Sequence, residues 1–266
     1  MKSTYLQLFA AFALTASMAS CSHVASDDRF IELPAVEAER VVLIEDFTGQ
    51  NCTNCPEAHE TIEGLEDQYG NNVVAVSIHA GPLSISDALP VGLATEEGEY
   101  YANQAGVEVY PTGRVNMLGK PTTPDEWPAQ VYDQIQIPTS YKIDLDAVED
   151  GGNITVKSTI YAGEDAEMFY QLWIVENAIE APQKYIDQDK KTQTNPKYVH
   201  NNVFRAAMNG LEGEAISLGS HEAQETECTY PCQEKWNKAN LAVVAFLYTK
   251  KDGVLQAARV AVRPAN

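Results

Sequence analysis

Two cysteines set the chemistry that this sequence could carry. Cys52 and Cys55 stand in Cys52-Thr53-Asn54-Cys55-Pro56, between a short apolar run and a helical pattern. This spacing serves thiol–disulfide exchange, in which one thiolate attacks and its neighbour resolves the mixed disulfide. At a helix start, unpaired backbone N–H groups and aligned peptide dipoles stabilise a thiolate and bring its pKa down toward neutral. Pro56 suits that first turn, because the N–H that proline lacks is not needed there. The same residues also fit a permanent disulfide stapling the helix start. A third reading is part of a zinc site with His59 one turn on. A lone His leaves such a set short, so no metal and no cofactor is expected.

The elements that must position these thiols are legible nearby. Val41 to Ile44 is short, rich in β-branched residues and bounded by polar ones, which predicts a buried strand. Ala58, Ile62 and Leu65 recur at helical spacing and predict a helix from about Pro56 to Gln68. Asp46 is the candidate for a buried carboxylate that takes a proton from Cys55, its pKa raised by desolvation. An exposed strand-end acid is the alternative, and alternation puts Glu45 on the opposite face. Val73 to His79 predicts a second buried strand. Residues 80–95, with Gly81-Pro82, Pro90 and Gly92, read as an inserted loop or lid. Helices follow at Glu96–Gln104 and Trp127–Ile135. The order predicts an α/β domain over residues 38–138.

From Tyr141 the pattern changes to alternation. Tyr141–Val148, Ile154–Tyr161 and Phe169–Val175 predict strands, as do several later runs ending with the hairpin around Lys250-Lys251-Asp252-Gly253. Residues 183–202 are polar and read as a loop. Seven or eight strands without helices predict an antiparallel β-sandwich over residues 139–266. Cys228-Thr-Tyr-Pro-Cys232 fits a small structural disulfide closed at a turn, with a second redox pair as the alternative. His200, flanked by asparagines, reads either as a hydrogen-bonding loop residue or as part of a ligand site.

A formal charge of −20 excludes nucleic acid as a partner and excludes docking on anionic lipid through a basic patch. The first eighteen residues carry one Lys and then an apolar stretch too short for a membrane span, so residues 1–20 read as a signal peptide. Met18-Ala19-Ser20-Cys21 resembles the lipobox of bacterial lipoproteins, with Cys21 lipidated and residues 21–37 a tether. The alternative is an ordinary signal peptide with a stray cysteine. Either one predicts an oxidising compartment, where disulfides persist.

The first half resembles thioredoxin, which carries Asp-Phe-Trp-Ala-x-Trp-Cys-Gly-Pro-Cys and later Gly-Ile-x-x-Ile-Pro-Thr. This chain has Asp46-Phe-Thr-Gly-Gln-Asn-Cys52-Thr-Asn-Cys55 and Gly106-Val-Glu-Val-Tyr110-Pro111-Thr112. Both tryptophans and the Gly-Pro between the cysteines are absent. The resemblance implies that Cys52 attacks, Cys55 resolves, Pro111 is a cis-proline facing the disulfide, and Asp46 accepts the proton. The whole chain also resembles the outer-membrane-protein-28-related lipoproteins. That likeness rests on the lipobox, on Glu45-Asp-Phe-Thr-Gly-x-x-Cys-x-Asn-Cys-Pro56, on Tyr110-Pro-Thr112 and on Tyr198-Val-His-Asn-Asn-Val-Phe-Arg205. It implies an outer-membrane lipoprotein with a thioredoxin-like domain followed by an immunoglobulin-like sandwich. Two functions are consistent with it: exchange on thiols or disulfides of envelope proteins through Cys52/Cys55, or a surface adhesin whose sandwich binds a ligand while the pair is structural.

Overall fold

The computed structural model describes residues 20–23 and 39–265. The expected signal peptide, Ser20 apart, and the tether beyond His23 lie outside the described residues. Seventeen strands and helices follow one another: β1 (Ser20–His23), β2 (Val42–Thr48), α1 (Cys55–Tyr69), β3 (Val73–His79), α2 (Glu96–Ala105), β4 (Thr112–Val115) and α3 (Trp127–Ile135), then β5 (Tyr141–Asp150), β6 (Asn153–Ala162), β7 (Ala166–Glu176), β8 (Ile179–Ile186), β9 (Thr192–His200), β10 (Val203–Ala207), β11 (Glu214–Leu218), β12 (Glu222–Pro231), β13 (Leu241–Thr249) and β14 (Gly253–Ala261). A two-residue β15 (Arg263–Pro264) closes the chain.

The expected fold, a thioredoxin-like α/β domain followed by a separate all-β sandwich, is corrected by the sheet topology. The strands of the first half have no sheet of their own. They form one end of an eight-stranded sheet ordered β14-β13-β7-β10-β3-β2-β4, with β11 paired to β7. The junction is parallel pairing of β10 with β3 at Val203 and Ser77, reinforced by the Ser77 N–H donating to the Asn202 carbonyl at 2.8 Å. The physical reason lies in β3, whose seven residues are all buried. A strand covered on both faces still has two edges to pair, and β2 satisfies only one of them. The molecule is mostly β, with 48% strand and 18% helix.

Alternation along the strands sorts the core into layers. On one face of the large sheet, Leu43, Phe47, Val74, Val76, Trp173, Phe204 and Phe246 pack beneath α2. That helix is started by Thr95, whose side chain accepts from the Gly98 N–H, with three glutamates in its first turn favouring the positive end of its dipole. The other face is shared. At the β2–β3–β4 end, Val42, Ile44 and Ala75 meet Ala58, Ile62 and Leu65 of α1 and Trp127 and Val131 of α3. At the β7–β13 end the covering layer is a five-stranded sheet, β1-β12-β6-β5-β15. Ile154, Val156 and Ile160 of that sheet pack on Leu172, Ile174 and Val243. Fully burying each such aliphatic side chain contributes about 1.5–3 kcal/mol. The sandwich therefore exists, but it is built on the same sheet that carries the cysteine helix.

A third, two-stranded sheet consists of β8 and β9 alone. The polar stretch read as a loop is in fact this hairpin, and it lies over the cysteines.

Candidate functional site: a covered disulfide beside a buried acid

Strand β2 ends at Thr48 and the chain turns through Gly49 to Asn54 into α1. A Cβ at Gly49 would stand 2.7 Å from the Leu83 carbonyl oxygen, so only glycine fits where residues 80–95 close against this loop. The Asn51 N–H donates to the same carbonyl at 2.7 Å. Pro56 occupies the first turn of α1, as the helix-start reading requires. Cys52 and Cys55 are joined in a disulfide. Both are buried, Cys52 at 2% and Cys55 at 0% exposure. Thiolate chemistry requires access, and in this conformation access is closed.

What closes it is the β8–β9 hairpin. Gln183 of β8 is fully buried, and its Nε2 donates to the carbonyls of Cys52 (2.8 Å), Gly49 (3.2 Å) and Lys184 (3.0 Å). The Lys184 N–H donates to the Gln50 carbonyl at 2.8 Å. The Gln50 side chain returns the contact, its Nε2 donating to the Val91 carbonyl at 2.7 Å and the Pro182 carbonyl at 3.3 Å.

Behind the loop lies Asp46, fully buried, its carboxylate beside the Ser77 side chain and 3.6 Å from His59 Nε2. Burial pushes its pKa up to about 7, and a hydrogen bond from Ser77, opposite it on β3, pulls the other way. His59 comes one helical turn after Cys55 and shares its face. Its Nε2 is 3.6 Å from Asp46 Oδ2 and 3.1 Å from Thr48 Oγ1, and its Nδ1 is 2.9 Å from the Tyr198 hydroxyl of β9. Two further imidazoles complete the layer, His79 at the end of β3 and His200 at the end of β9, with ring centroids 5.3 Å apart. Backbone carbonyls are the polar neighbours of both rings, Ser77 for His79 and Ala181 and Pro182 for His200. Burial lowers the pKa of His59 to about 3 and of His200 to about 4, and holds His79 well below the ordinary range; neighbouring His200 adds to the fall at His59 and His79. The three rings are thus neutral at pH 7.

Glu45 supplies the contrast. It too is fully buried, but on the other face of β2, where Arg114 of β4 holds it through Nε at 2.8 Å and Nη2 at 3.0 Å. The Tyr110–Pro111 peptide is cis. Thr112, the next residue, pairs with Phe47 of β2, so Pro111 stands at the end of the sheet from which the cysteine loop departs.

Cys228 and Cys232 are a correction. Cys232 keeps a free thiol, and Cys228 is already disulfide-bonded and buried. The cause is strand geometry. Residues 222–231 form β12, and about 3.3 Å of rise per residue carries two positions four apart beyond the Cα separation a disulfide spans. A zinc site of Cys52, Cys55 and His59 is also set aside, since sulfurs bonded to each other are not thiolate ligands. Among the described residues no group of three His, Cys, Asp or Glu side chains is arranged to hold a metal. Sequence reasoning missed Gln183, Tyr198 and His79 as parts of this site; Tyr198 and His200 lie in the stretch that carries the family resemblance.

A cleft of about 710 Å³ runs from His59 and Tyr198 along α1 to Arg259 of β14. There Arg259 donates through Nη1 to Asn202 Oδ1 (2.7 Å) and through Nη2 to Asn177 Oδ1 (3.1 Å). These two asparagines flank the base of the hairpin. No helix among the described residues is long and apolar enough to cross a membrane.

Comparison with known proteins agrees with the fold and places the chain. No curated protein matches the sequence. Among solved structures, HBP35 of Porphyromonas gingivalis is similar at a TM-score of 0.65 with 14% identity, covering 84% of this chain and 76% of its own, which is a likeness of fold. A protein from Agrobacterium tumefaciens is 16% identical over 84% of this chain and 95% of its own; its TM-score of 0.47 is too low to carry an argument. The family model for outer membrane protein Omp28 matches residues 98–266, well over half of the chain. The match includes Pro111, the β8–β9 hairpin and Arg259, and stops short of Cys52 and Cys55. This chain therefore belongs to the outer membrane protein Omp28 family, and its place is the bacterial outer membrane.

Proposed function

We propose that this outer-membrane protein exchanges disulfides with thiols or disulfides of other envelope proteins through Cys52 and Cys55. One observation carries the reading. A fully buried carboxylate with no cation to pair it is costly, and a merely structural disulfide has no use for one. Asp46 is such a group, and it sits on the helix face of Cys55 with its pKa near neutrality, where a proton acceptor works best. In the reductive direction the Cys52 thiolate attacks a substrate disulfide and displaces one substrate thiolate. Cys55 then gives its proton to Asp46 and attacks the Cys52 sulfur. The second substrate thiolate leaves, and the Cys52–Cys55 bond is closed. Pro111 lies at the same end of the sheet, beside the path of an arriving segment. Reduction of insulin by wild type and by Cys52→Ser tests the chemistry: turnover lost in the variant supports it, and no turnover in either overturns it.

The burial of Cys52 favours a second reading, a surface binding protein in which the pair is structural and the sandwich meets a ligand. In that case Cys52→Ser leaves binding to surfaces intact, and substitutions on the exposed face of β5 and β6 abolish it.

A further inference from the structure

The β8–β9 hairpin is bonded to the body through polar contacts at three places and poorly satisfied between them. Its strands pair with each other over Ile179–Ile186 and Thr192–His200 and join neither large sheet. Every residue from Thr192 to Lys197 is exposed, while Gln183 is buried against the cysteine loop, His200 against His79 of β3, and Ala181 in an apolar cluster with Leu93 and Val203. The attachments are the Gln183 and Lys184 bonds to the loop, the Tyr198 bond to His59, and the Arg259 clasp at the base. Between them are poorly paired buried groups: the Asp46 carboxylate, with no cation beside it, the neutral rings of His79 and His200, and Oε1 of Gln50 and of Gln183, which have no hydrogen-bond partner. Burying polar groups without full pairing is costly. A contact built for permanent closure satisfies its polar groups. This one leaves them open, so closure is held by few bonds against a standing cost.

The base is shaped for movement. Both ends of the hairpin pass through left-handed residues, Ala178 at φ 54° and Asn202 at φ 57°. For alanine that conformation is disfavoured, so it marks a place where the backbone gains by changing its dihedrals. Asn177 and Asn202 are bonded to each other, Asn202 N–H to Asn177 Oδ1 at 2.9 Å, and Arg259 holds both.

We infer that the β8–β9 hairpin is a displaceable cover, hinged at residues 177–178 and 201–202, whose opening controls every approach to the Cys52–Cys55 bond. As regulation of exchange it rests on the function proposed above; as a structural gate it is measurable without it. Closed, β8 lays Gln183 and Lys184 against the loop where an incoming segment must lie. Opening gives a partner both the sulfur and the hydrogen-bonding edge that β8 vacates.

The test is the rate at which dithiothreitol reduces the Cys52–Cys55 bond in the full folded chain. One dithiothreitol becomes its cyclic disulfide as two protein thiols form, which alkylation and peptide mass then report. Gln183→Ala removes the side-chain bonds to the loop and is expected to speed reduction about tenfold; Tyr198→Phe, which keeps the ring, about threefold. Lys142→Ala, on the far sheet, leaves the rate unchanged. Both accelerations without a matching fall in the thermal midpoint support a local cover. Equal rates in all four proteins, or accelerations that only track global stability, overturn it. Insulin reduction separates the two claims: faster dithiothreitol reduction with no Cys52-dependent turnover keeps the gate and removes the exchange function.

Discussion

The space between the two large sheets and the space beneath the hairpin are both interior, and they are built on opposite rules. Between the sheets, Leu172, Ile174, Val156, Ile160 and Val243 meet as apolar surfaces, and the buried tyrosine hydroxyls are bonded, Tyr170 with Ser158 and Tyr141 to Glu164. Beneath the hairpin, the polar side chains of Asp46, His79 and His200 are buried together, and Oε1 of Gln50 and of Gln183 has no hydrogen-bond partner. Apolar burial is non-directional and stabilises wherever packing is good, whereas buried polar groups stabilise only when paired. The first space therefore sets the stability of the molecule. The second is where stability has been given up, at the disulfide.

The same contrast is compressed into two consecutive residues, Glu45 and Asp46, which allows it to be broken. Arg114→Met leaves Glu45 buried without its partner and is expected to cost about 3–5 kcal/mol in urea unfolding. Leu172→Ala, in the apolar space, is expected to cost about 3 kcal/mol through lost transfer and a residual cavity. Asp46→Asn should act in the opposite direction. A carboxyl raised from its ordinary value to about 7 contributes its full stability below pH 4, loses it as pH rises through 7, and is a liability above that. Above pH 7 the amide is expected to gain about 2 kcal/mol, because its own unpaired groups take back part of the benefit; below pH 4 the gain vanishes. A stability gain that is independent of pH would remove Asp46 as the titrating group.

Finer effects sharpen the comparison further. His59 and His200 carry depressed pKa values, so the stability they confer is complete above pH 6.5 and is lost as pH falls toward 4. This sign opposes that of Asp46, but with His79 also depressed three imidazoles outweigh one carboxyl, so wild-type stability should fall as pH drops from 7 to 5. Asp46→Asn removes the opposing carboxyl and should steepen that fall, and His200→Asn should reduce it by about 1 kcal/mol between pH 6.5 and 5.5. The smallest effect belongs to the exposed Lys142–Asp144 pair on β5, where Lys142→Ala should stay within about 0.5 kcal/mol.

Much of the site was legible in residue order. The strand before Cys52 and the helix after it follow from local periodicity, which short-range steric and burial rules enforce; Asp46 was singled out by its spacing to Cys52, and only the fold shows that it is buried. The hairpin was not legible. Its β9 segment carries an exposed polar run with Pro196 inside it, so it has no apolar alternation to betray a strand. The union of the two halves was hidden for a different reason. The unbroken apolar run of β3 announces a strand covered on both faces, but nothing local names β10 as its second neighbour. Arg259 was invisible for the same cause: its partners Asn177 and Asn202 are far away in the chain, and only the folded sheet brings the three together.

That seam between β3 and β10 also constrains how the molecule comes into being. When residues 42–79 have left the export channel they can already pair with one another, yet the open side of β3 must wait for Val203 to arrive. Until then a nascent chain carries an apolar ribbon with one row of amides and carbonyls unclaimed, the form most prone to clump with a copy of itself. Escort factors that shield unfinished outer-membrane cargo would meet their heaviest demand during that interval, and a shorter delay between the two strands would relieve it.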